Sequence, residues 1–446
     1  MKKLFPLLFV LIFVIGLVGC QATPTPTAAP QATAVPPTAE PTIPPAAEKV
    51  TIKVMDQFTE GEANAGMDKL VQMFMAKYPN ITVQRDPVTS DNIRTMVQTS
   101  LASGEGPDII YYDTGPGFAG VLAKAGLLLP LDEYYQQYNW DSRIFTWTKA
   151  RTTFDGKVYG IGNELEFLGA YYNKNLFTQL GLSEPKTYDD LLAICQKAKD
   201  AGYVPISFGD GPKWPAYHMF SMTTNNLIGR DGLDKILYGN GRWDSPEVIR
   251  AIQLFFVDMN KAGCFIPDSA AVSYDDANTL FYSGKALINL TGTWLISDVN
   301  TNVKDFEVGW FFFPAIDNKP TFPPAGLGSG YFVSAKTANP QAATQFLDYL
   351  FSEEAAKVWM EEMGYIPPIK VDSSKFNLSP LLKFAVGALQ SQEMGYNIDV
   401  LTPDTFNTMM GDGFQAVMLG EKTAEQQAKD LEKVWEEAKA AGKILQ

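Results

Sequence analysis

The 446-residue chain has one histidine and three cysteines. Most zinc sites draw several imidazoles or thiolates together, and His218, Cys20, Cys195 and Cys264 are too few and too scattered for that. A single histidine also leaves little room for a Ser-His-Asp hydrolase. No Gly-x-x-x-x-Gly-Lys-Ser/Thr loop is present to cradle a nucleotide phosphate. Leu327 stands two residues before Ser329, so the Gly-x-Ser-x-Gly elbow of an esterase is missing there. Positive charge is in deficit, with 36 Lys and Arg against 50 Asp and Glu and a formal charge of −14. Such a surface suits neither nucleic acid nor an anionic membrane face. Beyond the first 18 residues no apolar run approaches the roughly 20 residues of a membrane span. These absences predict no metal, no cofactor and no enzyme.

The N-terminus is informative. Lys2 and Lys3 precede an almost wholly apolar stretch, residues 4–18, which ends in Leu17-Val18-Gly19-Cys20. That is the layout of a cleaved export signal. Its ending resembles a bacterial lipobox, in which the cysteine sulfur receives a diacylglycerol and becomes the new N-terminus. An ordinary signal peptide that contains a cysteine is the alternative. On the lipobox reading, residues 1–19 are the signal peptide and Cys20 is the lipidation site. The protein then lies outside the cytoplasm, anchored to the bacterial cell membrane. Residues 20–48 are rich in Pro, Thr and Ala. They cannot bury a core and favour polyproline II, at about 3.1 Å per residue, so they read as a tether. Outside the cytoplasm Cys195 and Cys264 are free to pair, and two buried thiols fit the sequence equally.

About 400 residues remain, enough for two lobes rather than one simple core. Residues 50–55 (VTIKVM), 81–85 and 107–112 (PDIIYY) read as strands. Between them, residues 62–78 and 92–102 carry helical spacing. Alternation of this kind predicts βαβ units and a largely parallel sheet. Ligands in such sheets sit beyond the carboxyl ends of the strands. That rule selects Gln57 and Glu60 after the first strand, and Tyr112 and Asp113 at the end of the third. Further along, Thr187 caps a helix to about residue 201, and residues 246–261, 339–351, 353–362 and 423–441 are helical.

Several motifs follow in order. Gly106-Pro107-Asp108-Ile109-Ile110 is followed by Gly156-Lys157-Val158-Tyr159-Gly160 and Tyr171-Tyr172-Asn173-Lys174. Then come Phe281-Tyr282-Ser283-Gly284-Lys285-Ala286, Gly292-Thr293-Trp294, Gly328-Ser329-Gly330-Tyr331 and Gly364-Tyr365-Ile366-Pro367. Together they resemble the solute-binding proteins of ABC importers, in the carbohydrate-binding group that includes maltose-binding protein. The resemblance covers residues 49–446. It departs after the Val-Tyr segment, where many relatives have Gly-x-Pro and this chain has Gly160-Ile161-Gly162-Asn163.

The resemblance implies an α/β fold of two lobes, a ligand cleft between them and three hinge crossings. It implies residues 49–170 and 305–350 in the first lobe, and residues 171–304 and 351–446 in the second. It also implies a monomer that binds a sugar or oligosaccharide and delivers it to a membrane permease. A sugar site needs rings to stack on C–H faces, and carboxylates or amides to satisfy hydroxyls. The candidates in this part of the chain are Glu164, Glu166, Trp214, Tyr217, Trp294, Gly330, Tyr331 and Tyr365. A core role for Trp294, and exposed-loop roles for Glu164 and Glu166, are the plainer readings. His218 reads as a hydrogen-bonded structural histidine. A receptor for a glycerophosphodiester or a cationic compound, or a secreted glycosidase, are the alternative functions.

Overall fold

A computed structural model describes residues 49–444. The expected signal peptide, the expected lipidation site at Cys20 and the expected linker to residue 48 lie outside the described residues. Among the described residues no helix is long and apolar enough to cross a membrane.

Thirteen strands are described. In chain order they are β1 (Val50–Asp56), β2 (Ile81–Pro87), β3 (Ile109–Asp113), β4 (Thr153–Phe154), β5 (Lys157–Val158), β6 (Gly160–Gly162) and β7 (Glu166–Asn173), then β8 (Val204–Ile206), β9 (Ala286–Gly292), β10 (Val308–Phe311), β11 (Pro324–Gly326), β12 (Ser329–Val333) and β13 (Gly395–Tyr396). One sheet has the order β2-β1-β3-β12-β6, and a second has β13-β11-β7-β9-β8 with β10 also on β7. A small β4-β5 hairpin stands apart.

The first sheet grows from the expected βαβ units. Helices Gly61–Lys77 and Ser90–Ser103 connect β1, β2 and β3, which pair in parallel. Strand β12 returns antiparallel between β3 and β6. The second sheet departs from the parallel expectation. Its central strand β7 is buried along its whole length and runs antiparallel to β9, β10 and β11. Only the β8–β9 and β11–β13 pairs are parallel. Mixed sheets of this kind are common where long connections return a strand to the middle.

Sheet membership moves the lobe boundaries. The chain enters the second sheet at Glu166, not at Tyr171, because β7 is one continuous strand that contains the Tyr171-Tyr172-Asn173 motif. The return to the first lobe is not at Asp305 either. Strands β10 and β11 still pair with β7, and β12 is the first strand back in the first sheet. Helices Pro340–Leu350 and Glu353–Lys357, and the turn Val358–Glu362, pack into the first lobe's core through Phe346, Leu350, Ala355 and Trp359. Tyr365 and Ile369 belong to the same core, so the chain is still in the first lobe well beyond Phe351. Local amphipathicity marks each helix well but does not say which sheet it covers.

The three passages lie side by side. Asn163 N–H donates to Ser329 O at 2.9 Å, Thr114 N–H donates to Gly328 O at 2.8 Å, and Leu165 N–H donates to Ile366 O at 2.8 Å. In the second lobe Cys195 and Cys264 form a disulfide with a Cα separation of 5.1 Å, which decides between the two sequence readings. Thr187 caps the helix Tyr188–Asp200 as expected. Its hydroxyl accepts from the Asp190 N–H at 3.2 Å, and the Asp190 carboxylate accepts from the Thr187 N–H at 2.9 Å.

Candidate ligand-binding site

A cleft of about 1320 Å³, its open mouth included, runs between the two sheets over the paired passages. The carboxyl-end rule locates one wall: residues 57–60 follow β1, and Asp113 ends β3. Beneath that wall Arg85 bridges the fully buried Asp56 at 2.7 Å and Asp68 at 2.7 Å, and also donates to Phe58 O. Asp56 accepts from the Phe58 N–H at 3.0 Å, so the loop is fixed from below.

The opposite wall is aromatic. Trp214 opens a helix, Tyr274 begins another, and Trp294 follows β9. The Trp214 and Tyr274 rings are 4.5 Å apart between centroids, Trp214 and Trp294 are 6.4 Å apart, and His218 and Trp294 are 5.1 Å apart. Trp294 Nε1 donates to Tyr274 Oη at 3.0 Å, and that hydroxyl pairs with Thr291 Oγ1 at 2.8 Å. Gly292 makes this packing possible, because a Cβ there would lie 1.8 Å from the Trp294 ring. Lys213, just before Trp214, holds φ at 72°, a costly conformation for a residue with a Cβ. The buried Asp210 carboxylate fixes that turn by accepting from the Ala216 N–H at 2.9 Å.

The floor is acidic. Glu164 and Glu166 bracket the first passage, and Asp399 and Asn397 come from the segment after β13. All four are buried. Gly328 lets the Glu166 carboxylate approach the backbone, since a Cβ there would lie 2.0 Å from Oε1. Burial, then the charge of Glu166, pushes Glu164 well above the usual carboxylate range. Burial, then Asp399, also raises Glu166, with the Gly328 N–H opposing. Asp399 is pushed up to about 7 by burial and by Asp113, partly offset by Arg94. At the mouth Asp298 rises to about 7 through burial, Glu60 and Asp275. Burial and the nearby Arg94 drive His218 down to about 3, so it is neutral. Arg94 grips Asp113 through Nε at 2.8 Å and Nη2 at 2.9 Å, and Asp91 through Nη1 at 3.1 Å. Its guanidinium lies 5.4 Å from the Trp214 ring centroid, across the cleft.

These shifts fix the sign of a pH effect. Between the ordinary carboxylate range, about 4, and the raised folded values, the folded protein holds more protons than the unfolded chain. The stability this confers is complete below about pH 4 and is lost as pH rises through the folded values. Glu166→Gln keeps the shape and removes one such group. The melting temperature of the empty Glu166→Gln protein should therefore exceed wild type by a margin that grows from pH 5 to pH 8.5. Paired calorimetric scans check this, and a constant margin would refute it.

Gln57, Glu60, Asp113, Glu164, Glu166, Trp214, Trp294 and Tyr365, all selected from sequence, line the cleft. Four others do not. Tyr112 points the other way from Tyr111 along β3 and packs against Phe118, with ring centroids 6.3 Å apart. Tyr331 is fully buried in the first lobe's core, its hydroxyl against Met67 Sδ. Gly330 is sealed by the backbone of Ile161 and Gly162. Tyr217 falls off the helix face that carries Trp214 and His218, and it abuts Gly411. His218 lines the cleft, contrary to its purely structural reading. Arg94, Tyr274, Asp275, Asp298, Asn397 and Asp399 were not expected there. For Tyr274 and Asp275 a signal existed: Ser273 is an N-cap whose hydroxyl accepts from the Asp276 N–H at 3.1 Å.

Comparison with known proteins agrees with this architecture. An uncharacterised ABC transporter extracellular-binding protein of Pyrococcus horikoshii is 28% identical over 88% of this chain and 86% of its own. The multiple sugar-binding protein of Streptococcus mutans is 25% identical over 76% of this chain and 80% of its own. The solved structure of a chitin oligosaccharide binding protein superposes with a TM-score of 0.77 at 24% identity, covering 88% of this chain and 99% of that one. The family model for bacterial extracellular solute-binding proteins matches residues 59–357, and this two-lobed α/β chain belongs to that family.

Proposed function

We propose that this chain captures a sugar or oligosaccharide between its lobes and hands it to the membrane permease of an ABC importer, without turning it over. One observation carries the reading: an aromatic wall of Trp214, Tyr274 and Trp294 faces a floor of buried carboxyl and amide groups. Rings offer a surface for C–H faces. Carboxylates and amides satisfy hydroxyls whose burial unpaired would cost about 1–3 kcal/mol each. Relatives named as multiple sugar-binding and chitin oligosaccharide binding proteins support the same class of ligand. A phosphodiester is disfavoured, because the cleft's guanidinium, Arg94, is already held by Asp113 and Asp91. The receptor is proposed to act as a monomer, lipid-anchored through Cys20 with residues 20–48 as its tether. Mass analysis of the mature N-terminus tests that anchor, which fails if residue 20 is not first.

Capture is proposed to work by closure. A ligand that touches both walls favours the closed arrangement by its difference in affinity for the two states. A micromolar dissociation constant corresponds to about −8 kcal/mol. Calorimetric titration of the mature protein with mono- to tetrasaccharides tests the reading. At 100 times its dissociation constant a true ligand should add about 2.7 kcal/mol of stability. It should also shrink the radius of gyration in small-angle scattering. Absence of binding across the panel, or turnover of a chromogenic glycoside, would overturn the proposal.

A further inference from the structure

The side chains lining the cleft are unbalanced in charge. Glu60, Asp91, Asp113, Glu164, Glu166, Asp275, Asp298 and Asp399 face a single cation, Arg94. Arg94 is spent on Asp113 and Asp91. Among the described residues the other six acids have no cationic partner within 4 Å apart from the long His218 contact. His218 Nε2 stands 3.9 Å from Asp399 Oδ2, too far for a hydrogen bond, and the imidazole is neutral. Asp399 is 6% exposed, lines the cleft, and its Oδ1 is buried with no donor. Glu164 and Glu166 are 3% and 8% exposed beside it.

We propose that the ligand is a saccharide carrying a protonated amine, with Glu164, Glu166 and Asp399 as its counter-charges on the cleft floor. The inference rests on the sugar reading and narrows it. A neutral sugar needs donors as well as acceptors from its site, because each hydroxyl does both. Ionised, the floor carboxyls of Glu164, Glu166 and Asp399 offer only acceptors, which suits a ligand group that only donates. Buried carboxylates without a counter-charge are costly, so the empty floor holds protons, and an ammonium with its own hydrogen bonds can take their place. An ammonium brings a positive charge and three donors and accepts nothing. The upward displacement of the same carboxyls is consistent with a floor that holds protons when no cation is present. The mouth adds to the effect. Glu60 and Asp91 on one lobe face Asp275 and Asp298 on the other, and a cleft lined by one sign of charge draws in ligands of the opposite sign.

The test uses the mature protein and three saccharides of one linkage and length. These are β-1,4-linked glucosamine di- and trisaccharides, their N-acetylated forms, and the corresponding glucose oligomers. The glucose series replaces each ammonium by a hydroxyl without added bulk. The glucosamine series should bind at least tenfold more tightly than the glucose series at pH 7, and added salt should narrow the gap. Glu166→Gln and Asp399→Asn should each shrink that ratio, with the melting temperature confirming that the variants fold. Equal or tighter binding of the neutral oligomers would overturn the amine and leave the sugar reading standing. Spermidine binding more tightly than any glucosamine oligomer would overturn the saccharide. Binding of none of these would overturn both.

Discussion

Trp294→Ala is expected to weaken sugar binding by roughly 30- to 150-fold. That corresponds to about 2–3 kcal/mol for a lost stacking surface and the area it covers. The structure also predicts a cost to the fold. Trp294 is only half-buried, yet it packs against the cores of both lobes and against the cluster between them. Complete truncation of a buried tryptophan costs about 3–5 kcal/mol, and this ring should stay below that range. Trp294→Phe separates the two effects. It keeps a smaller ring for the sugar and for packing, and loses the Nε1 bond to Tyr274 and part of the indole's area. It should recover most of the stability and a large part of the affinity. Calorimetric affinity and melting temperature, measured on both variants, decide the matter. If Trp294→Ala binds as well as wild type, the aromatic wall is not the binding surface.

Replacing Cys195 and Cys264 together by alanine should cost about 2–4 kcal/mol of stability. The bond closes a loop with a sequence separation of 69, and loop-closure entropy grows with that length. It ties the helix Tyr188–Asp200 to the start of the chain after Met259, and both sulfurs sit in the second lobe's core. Neither cysteine lines the cleft. Sugar affinity of the folded variant should therefore stay within a fewfold of wild type while the urea midpoint falls. An unchanged midpoint would show that the crosslink constrains little in the unfolded chain.

The first lobe was legible because its signals are local. Residues 50–55 and 81–85 alternate or run β-branched, and the structure extends them by only one or two residues, to Asp56 and Pro87. The second lobe was less so. Every residue of β7 is buried, so its sequence carries no alternation to mark its start at Glu166. In the site, Glu164 and Glu166 were found through the Tyr171–Lys174 motif that follows them, and Trp294 through the motif that contains it. Tyr331 and Tyr112 were misplaced because a strand's period of two turns neighbours to opposite faces, and the phase was not fixed by composition. Arg94 sits in the middle of an ordinary amphipathic helix. Only the meeting of Asp91, Asp113 and Trp214 in space gives it a role.

The side-by-side passages at residues 163–165, 327–328 and near 366 have a mechanical meaning. Three strands of backbone tied edge to edge behave as a strap, not a string, and a strap folds about one line. Glu164 and Glu166 ride on that line. A group on the pivot has no lever arm, so it holds the same position at any angle of the lobes. In the proposed closure Glu60 and Asp298, at the mouth, swing through the longest arcs. The floor is therefore placed to judge what a ligand is, and the mouth to register that one has arrived.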